Sequence, residues 1–369
     1  MKVVLTGGCT GGHIYPALAI GDRFRAASDS NEVIYIAHQY GLETRIVPAA
    51  GYELKIVTAQ WFDRSNPIRL VKTVLETLKG RREAYRIIRE FKPDVVVSTG
   101  SFVSVPVVLA AAKAGIPIYI HEQNAFPGIS NRMLSRYARK VFLGFNGGHE
   151  HFKQKEKLMY VGNPVRKDFY DRSRDADRQS LGIPSDDFVI TVFGGSLGSK
   201  AMNDIGFELA KEYAGKENVT VIWGTGREYY DGVSAELQSL GLIESPNLMV
   251  SPYIDNMPAV LSASSVVISR SGALSVAETT MIGRAAIFVP SPNVTADHQY
   301  HNAKAVADVG GAVIVREGED TSDKVMCEVR RLYENRELLA DMEVACHSIA
   351  PERATEIIYE EIMKDIGQN

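Results

Sequence analysis

The chain has 369 residues, more than a single core usually supports, so two domains are expected. With 45% hydrophobic and 23% charged residues it has the composition of an ordinary globular protein, and a formal net charge of −4 gives no reason to expect nucleic-acid binding. Three cysteines (Cys9, Cys327, Cys346) form no C-x-x-C, cannot all pair, and suit a reducing cytoplasm. The start of the chain carries one lysine and a glycine-broken stretch, unlike a signal peptide. The longest apolar run, 105–112, is far too short to span a bilayer.

In chain order, the first strand candidate is Lys2–Leu5, which leads into the glycine turn Gly7-Gly8-Cys9-Thr10-Gly11-Gly12. His13 stands at the exit, and an apolar helix pattern (Ile14, Ala17, Leu18, Ile20) follows. Glycines let backbone approach a ligand closely, and the free N–H groups of a helix start suit anions. Folding does not require an imidazole there, so the turn reads as a place of chemistry. Further strands are predicted at Glu32–Ala37, Leu54–Val57, Asp94–Ser98, Pro117–His121 and Lys140–Leu143. They are apolar on both faces, as buried parallel strands are, with amphipathic stretches between them.

The charged segment 163–187, with Pro164 and Pro184, reads as a linker between a domain at 1–162 and a second at 188–340. The second half repeats the plan with strands at Phe188–Phe193, Val219–Trp223, Asn247–Val250, Ser265–Ser269, Ala285–Val289 and Ala312–Val315. Residues 322–364 read as helical with a break at Pro351, and 341–369 as a terminal helical segment able to pack back on the first domain. The fold class is α/β: two Rossmann-like, doubly wound parallel sheets facing a cleft, with ligands beyond the carboxyl ends of the strands.

Neither glycine turn is a standard nucleotide cradle. From Gly7 the middle glycine of G-x-G-x-x-G is Cys9, and the second strand ends in Ala37-His38-Gln39 with no carboxylate for a ribose. The second-half turn GGSLGSKA has the wrong spacing for a P-loop. A better nucleotide site is 269–278, SRSGALSVAE, where Ser271 or Gly272 would cap a helix whose first N–H groups suit a diphosphate. Glu278 falls one to two turns later; it is either a ribose ligand or a solvated glutamate. The polar run 297–303 suits either sugar hydroxyls or a plain polar helix start.

TGGH near the start, HEQNAFPG at 121–128, VGNPVR at 161–166, GGS at 194–196, SRSGALSVAE at 269–278 and HQ…NA at 298–303 occur in this order. Through these motifs the chain resembles the MurG family of peptidoglycan N-acetylglucosaminyltransferases, from the first strand to about residue 310. The resemblance implies the two-Rossmann GT-B fold. It implies inverting transfer of N-acetylglucosamine from UDP-GlcNAc to the C4 hydroxyl of the muramoyl sugar in undecaprenyl-linked lipid I, giving lipid II.

It also implies a donor site in which Ile254 meets uracil through its backbone and Glu278 holds the ribose. Ser196 and the helix start Ala273, Leu274, Ser275 would hold the diphosphate, with Arg166 nearby, and Gln299 would address the sugar. Thr10, Gly11, Gly12 and Asn124 would approach the transferred sugar and the acceptor. One in-line displacement needs a base for the acceptor hydroxyl and charge stabilisation for departing UDP. His13 is the first candidate base, since imidazole titrates near neutral pH, and Glu122 the alternative. No D-x-D between strands that would hold Mg²⁺ is seen, no tightly bound cofactor is expected, and dependence on a divalent cation is left open.

The chain departs from the family pattern at Cys9, where a glycine is common, and at 99–106. There TGSFVSVP stands for a richer G-G-Y-x-S-G-P, with Ser101 and Val105 replacing glycines. Lipid I lies in the cytoplasmic leaflet, so the resemblance places the protein peripherally on the cytoplasmic face of the cell membrane, with cell-wall synthesis proteins as compatible partners. Residues 64–92 carry nine basic and three acidic residues around a stripe of Ile68, Val71, Leu75 and Leu78, preceded by Trp61 and Phe62. That stretch is either a contact for anionic headgroups or a helix packed on the sheet with a solvated basic face. Competing functions are another GT-B transferase on a lipid or natural-product acceptor, a non-catalytic sugar-nucleotide-binding subunit, and a UDP-sugar epimerase.

Overall fold

The computed structural model describes residues 1–61, 67–195, 197–350 and 353–367, and the side chains of 67–71 also lie outside that description. Ser196, Phe62, Arg64 and the break at Pro351 of the sequence reading, and the side chains of Ile68, Arg69 and Val71, therefore lie outside the described residues. The chain forms two compact units, 1–165 with 351–369, and 166–350.

The first unit is built on seven strands: β1 (Lys2–Thr6), β2 (Glu32–Ala37), β3 (Glu53–Ile56), β4 (Val95–Ser98), β5 (Ile118–Glu122), β6 (Lys140–Leu143) and β7 (Leu158–Tyr160). Its helices are α1 (Gly11–Ala27), α2 (Glu43–Ala49), α3 (Pro67–Phe91), α4 (Ser104–Ala114) and α5 (Ile129–Leu134). All pairings are parallel, in the order β3-β2-β1-β4-β5-β6-β7. Val3 and Leu5 enter one core with Ile14, Ile20 and Phe24 of α1, while Val4 enters the other with Ile88 of α3 and Val107 of α4. Period-2 alternation along a strand buried on both faces produces this division. The short, half-exposed edge strand β7 has no sequence prediction, because three residues carry too little periodicity.

The second unit holds β8 (Phe188–Phe193), β9 (Val219–Gly224), β10 (Leu248–Ser251), β11 (Val266–Ser269), β12 (Ala285–Phe288) and β13 (Ala312–Ile314). Its helices are α6 (Arg174–Leu181), α7 (Lys200–Tyr213), α8 (Tyr230–Ser239), α9 (Met257–Ala263), α10 (Ala273–Ile282), α11 (His298–Ala307), α12 (Thr321–Glu334) and α13 (Arg336–His347). The sheet is again parallel, in the order β10-β9-β8-β11-β12-β13.

The segment 163–187 differs from a plain linker. It contains α6, which packs on α9, and Arg178 of α6 is buried. Its guanidinium donates to the Ala263 carbonyl at 3.0 Å and to Ser265 Oγ at 3.2 Å. A charged residue thus anchors the segment, because buried guanidinium N–H groups must find acceptors. The terminal segment also divides differently from the boundary at 341. Helix α13 belongs to the second unit, and only α14 (Ala354–Gly367) belongs to the first, where it packs on α1. Ile358 and Ile362 are fully buried there, each contributing about 1.5–3 kcal/mol. Lys140 pairs with Glu361, and the Tyr119 hydroxyl donates to Asp365.

Helix α3 turns Thr73, Gly80, Ala84 and Ile88 inward. At Gly80 a Cβ would stand 1.8 Å from the Thr58 carbonyl oxygen, so only glycine lets the helix pass this close. Leu75, Leu78 and Val74 lie on the other side and are exposed, as is Trp61. Leu75 and Leu78, the described residues of the apolar stripe, are therefore not on the buried face of α3.

Candidate active site

In the first sheet the strand order reverses between β1 and β4. Ligands of open α/β sheets bind outside the carboxyl ends of the strands at such a point. The glycine turn follows β1 there, and Thr99–Val103 follows β4. The turn's tertiary anchors are specific. Glu43 of α2, fully buried, accepts the Cys9 N–H at 3.0 Å. Cys9 at φ 70° and Ser101 at φ 73° are both left-handed, and their side chains touch, Oγ to Sγ 3.4 Å. These are two of the three positions where glycine was expected from the resemblance. Here L-residues hold the same backbone, at a cost of about 1–3 kcal/mol each. Val105 lies inside α4, where no special backbone is required.

Helix α1 begins after Thr10, whose side chain does not cap it, so the Gly11 and Gly12 N–H groups are not taken by an N-cap side chain. His13 is half-buried, and Thr99 holds it at two points. The Thr99 hydroxyl donates to the His13 carbonyl at 2.7 Å, and the Thr99 carbonyl accepts from His13 Nδ1 at 2.8 Å. Gln123 Oε1 is also 2.8 Å from Nδ1. A Cβ on Gly7 would lie 2.1 Å from Thr99 Oγ1. Gly7→Ala is expected to cost about 1–3 kcal/mol of stability by overpacking and to loosen His13. Urea melting and turnover measured on the same preparation check both effects.

Glu122 is 1% exposed, and its carboxylate is saturated. One oxygen accepts the N–H (2.9 Å) and side-chain amide (3.3 Å) of Asn124, and the other accepts the Gly128 N–H and Asn131 Nδ2, both at 2.9 Å. With its lone pairs committed, it shapes the loop after β5 and sets Asn124. Thr99, Gln123, His121 and Asn131 had no assigned role in the sequence reading. A signal existed: the polar triplet His121-Glu122-Gln123 closes an otherwise apolar strand, where burial forces each polar group to find a partner.

In the second sheet the order reverses between β8 and β11. Gly194 and Gly195 follow β8, and Ser269–Gly272 follows β11. Helix α10 starts after Gly272, which has extended backbone and no capping side chain, so Ala273, Leu274 and Ser275 present the uncapped start. Ser269 and Ser271 hydroxyls are buried without a hydrogen-bond partner among the described residues. Asn302 of α11 donates to the Ser271 carbonyl at 3.2 Å, and Gln299 Oε1 accepts the Ser291 N–H at 2.9 Å. The HQ…NA motif thus braces the neighbouring loops. Two consecutive non-glycine residues, Ala296 and Asp297, are left-handed just before α11.

Ile254 is buried after β10 and packs over Gly224. Arg270 links elements that the sequence did not connect: it donates to Ser199 Oγ at 2.7 Å and to the Val289 carbonyl at 3.1 Å, and pairs with Glu317 at 2.5 Å. Arg166 is exposed, 3.5 Å from Asp168. Glu278 has no hydrogen-bond partner among the described residues and keeps only a partly exposed edge. Burial pushes its carboxyl up to about 7; Arg166 opposes this and Asp168 adds to it. An unpartnered carboxylate in such surroundings is costly unless donors arrive with a ligand.

Two family models cover most of the chain: the glycosyltransferase family 28 N-terminal domain over residues 3–143 and its C-terminal domain over 189–357. The chain belongs to glycosyltransferase family 28. A curated relative from Acetivibrio thermocellus, named UDP-N-acetylglucosamine–N-acetylmuramyl-(pentapeptide) pyrophosphoryl-undecaprenol N-acetylglucosamine transferase, is 38% identical over 369 residues, covering 100% of this chain and 99% of the relative. The crystal structure of Acinetobacter baumannii MurG matches with a TM-score of 0.77 at 29% identity, covering 98% of this chain and 99% of that one. A UDP-GlcNAc 2-epimerase from Neisseria meningitidis, bound to UDP-GlcNAc, shares the fold at TM-score 0.69 and 16% identity, covering 99% of this chain and 100% of that one. At that identity it speaks for the fold alone. The family and the two-Rossmann fold expected from the motifs are thus the ones observed. Among the described residues no group of three or more His, Cys, Asp or Glu side chains is placed to hold a metal ion, and no helix is long and apolar enough to cross a membrane.

Proposed function

We propose that this family 28 enzyme transfers N-acetylglucosamine from UDP-GlcNAc to the C4 hydroxyl of the muramoyl sugar of lipid I, with inversion at the anomeric carbon. The observation that carries the reading is the oriented imidazole of His13. Its Nδ1 side is occupied by two oxygen acceptors, which leaves Nε2 as the basic atom. In the displacement, Nε2 takes the proton of the acceptor hydroxyl as its oxygen bonds to the anomeric carbon. The bond from that carbon to the diphosphate oxygen breaks, and its electron pair leaves with UDP. The start of α10 (Ala273, Leu274, Ser275) offers N–H groups and a positive dipole end to the departing diphosphate. Glu278 accepts the ribose hydroxyls, Ile254 meets the base, and Gln299, its Oε1 held by Ser291, turns its amide nitrogen to the sugar. Ser196 and Arg166 flank the diphosphate. Gly11, Gly12, Thr10 and Asn124 line the acceptor side, and the saturated carboxylate of Glu122 braces that loop. Full-length identity to a named transferase of this reaction supports the substrates.

The deciding assay combines purified protein, UDP-GlcNAc labelled in the sugar, and a lipid I analogue. A labelled lipid-linked disaccharide is expected, and its absence sinks the acceptor assignment. UDP release without acceptor turns the reading toward an epimerase or hydrolase.

We also propose that α3 docks on anionic lipid at the cytoplasmic membrane face. Leu75, Leu78 and Trp61 are exposed, with Lys72, Lys79, Arg82 and Arg86 exposed among them, so an apolar stripe flanked by cations is available to headgroups. Replacing Arg81, Arg82 and Arg86 by glutamate is expected to lower binding to phosphatidylglycerol vesicles at least tenfold, while donor binding stays unchanged. Co-sedimentation equal to wild type would remove the proposal.

A further inference from the structure

A directed chain of hydrogen bonds runs behind His13. His121 Nε2 lies 2.8 Å from the Gly162 carbonyl. On its other side, His121 Nδ1 is 2.9 Å from Gln123 Nε2, which also donates to the His121 carbonyl at 2.9 Å. Gln123 Oε1 then reaches His13 Nδ1 at 2.8 Å, and the Thr99 carbonyl meets the same nitrogen at 2.8 Å. The chain thus ends on main-chain carbonyls, Gly162 and Thr99, which only accept.

Those two ends leave one assignment for neutral rings. The Gly162 carbonyl requires the His121 proton on Nε2, so His121 Nδ1 carries a lone pair. That lone pair and the His121 carbonyl both require the NH₂ end of Gln123. Gln123 must then show its oxygen to His13. The Thr99 carbonyl independently requires the His13 proton on Nδ1, which agrees. Reversing the amide would set a donor against a donor at His13. Bulk solvent does not reach the centre, because His121 is fully buried and Gln123 is 1% exposed. Asn163, 2% exposed, holds the Gln123 main chain by donating to its carbonyl at 3.0 Å. Burial also pushes His121 down to about 4, so its ring stays neutral across the working range.

We propose that Gln123 is a positioning residue: with His121 behind it, it keeps the His13 proton on Nδ1 and the lone pair on Nε2, and shares the charge when Nε2 is protonated. This deepens the reading of His13 as base and rests on it. Among the described residues the ionisable groups on the elements around the ring include His121 and Glu122 of β5, Cys9 in the turn, Glu43 of α2 and Tyr35 of β2, whose hydroxyl donates to the Gly7 carbonyl at 3.1 Å. Glu122 is committed to four donors, and Glu43 to the Cys9 N–H.

Long-range proton–nitrogen NMR of the ¹⁵N-labelled full chain tests the arrangement, with His13 assigned by its loss in His13→Ala. Wild type is expected to show a protonated Nδ1 and an unprotonated Nε2. In Gln123→Met one acceptor is gone. The minor Nε2–H tautomer becomes detectable, the acid limb of kcat moves to lower pH, and kcat falls about tenfold with KM for UDP-GlcNAc within twofold. Gln123→Glu, whose carboxylate still accepts from His13 Nδ1, restores the tautomer and most of kcat. A wild-type His13 protonated on Nε2 overturns the proposal. So does Gln123→Met with unchanged tautomer and acid limb. If the tautomer shifts as expected but His13→Ala keeps full turnover, the base reading fails and the positioning role in that reaction falls with it. Should Gln123→Met not fold, the wild-type spectrum and the Gln123→Glu profile decide.

Discussion

His13→Ala is expected to lower kcat by about 10²–10⁴-fold while the Kd for UDP-GlcNAc changes less than twofold. The split follows from where the residue sits. His13 belongs to the first unit, whereas the residues assigned to uracil, ribose and diphosphate all belong to the second. On the proposed assignment, loss of the imidazole removes the proton acceptor and leaves the donor's seat intact. His13→Gln is the stricter variant, because glutamine can keep contact with the Thr99 carbonyl but has no basic nitrogen. It is expected to be as inactive as alanine, and the acid limb of the pH–rate profile should vanish with it. Isothermal titration for donor affinity and single-turnover transfer for the chemical step separate the two quantities. Turnover above about a tenth of wild type in His13→Gln would assign the base elsewhere.

The second large effect concerns Glu278. Its carboxyl, ordinarily near 4.5, is pushed up to about 7 chiefly by burial. The ionised form accepts from both ribose hydroxyls more strongly, because both of its oxygens are charged acceptors. KM for UDP-GlcNAc should therefore fall as pH rises through about 7 and level off above it. Glu278→Gln is expected to raise KM about 10–100-fold at pH 8, the worth of a hydrogen-bonded carboxylate of roughly 1.5–3 kcal/mol, and to abolish the pH dependence. For the free enzyme the linkage runs the other way. The folded state holds this proton up to about 7, whereas the unfolded chain releases it near 4.5. Between those values the folded state binds more protons, so the stability linked to this group is present below 4.5 and is lost as pH rises to about 7. Glu278→Gln should thus flatten that part of the Tm profile and melt higher than wild type at pH 8 without ligand. A KM that is flat in pH in wild type would separate Glu278 from the ribose.

Much of this was legible in the sequence. Strands β2, β6 and β8 occupy the predicted residues, and most of the others lie within one residue of prediction. Buried parallel strands are runs of Val and Ile, a local property. Six ordered motifs led to the family. The boundaries between the units were harder, because α6 is charged and proline-flanked and reads as solvated until Arg178 meets the Ala263 carbonyl. The orientation of α3 was open too. Its inward face includes small and polar positions such as Thr73 and Gly80, which a hydrophobic stripe does not reveal.

The sequence by itself determined the two-sheet class, the glycine-rich turns that lead into helices, and the presence of an imidazole in the first turn. Each follows from residue type and short-range spacing. Only the tertiary structure set two oxygen atoms at His13 Nδ1, gave the Glu122 carboxylate four donors, and left Glu278 with no hydrogen-bond partner among the described residues. Those properties depend on groups such as Thr99, Gln123 and Gly162, separated from His13 by 86 to 149 positions. Hydrogen bonding is directional and short-ranged, so a side chain's protonation and role are set by its neighbours in space.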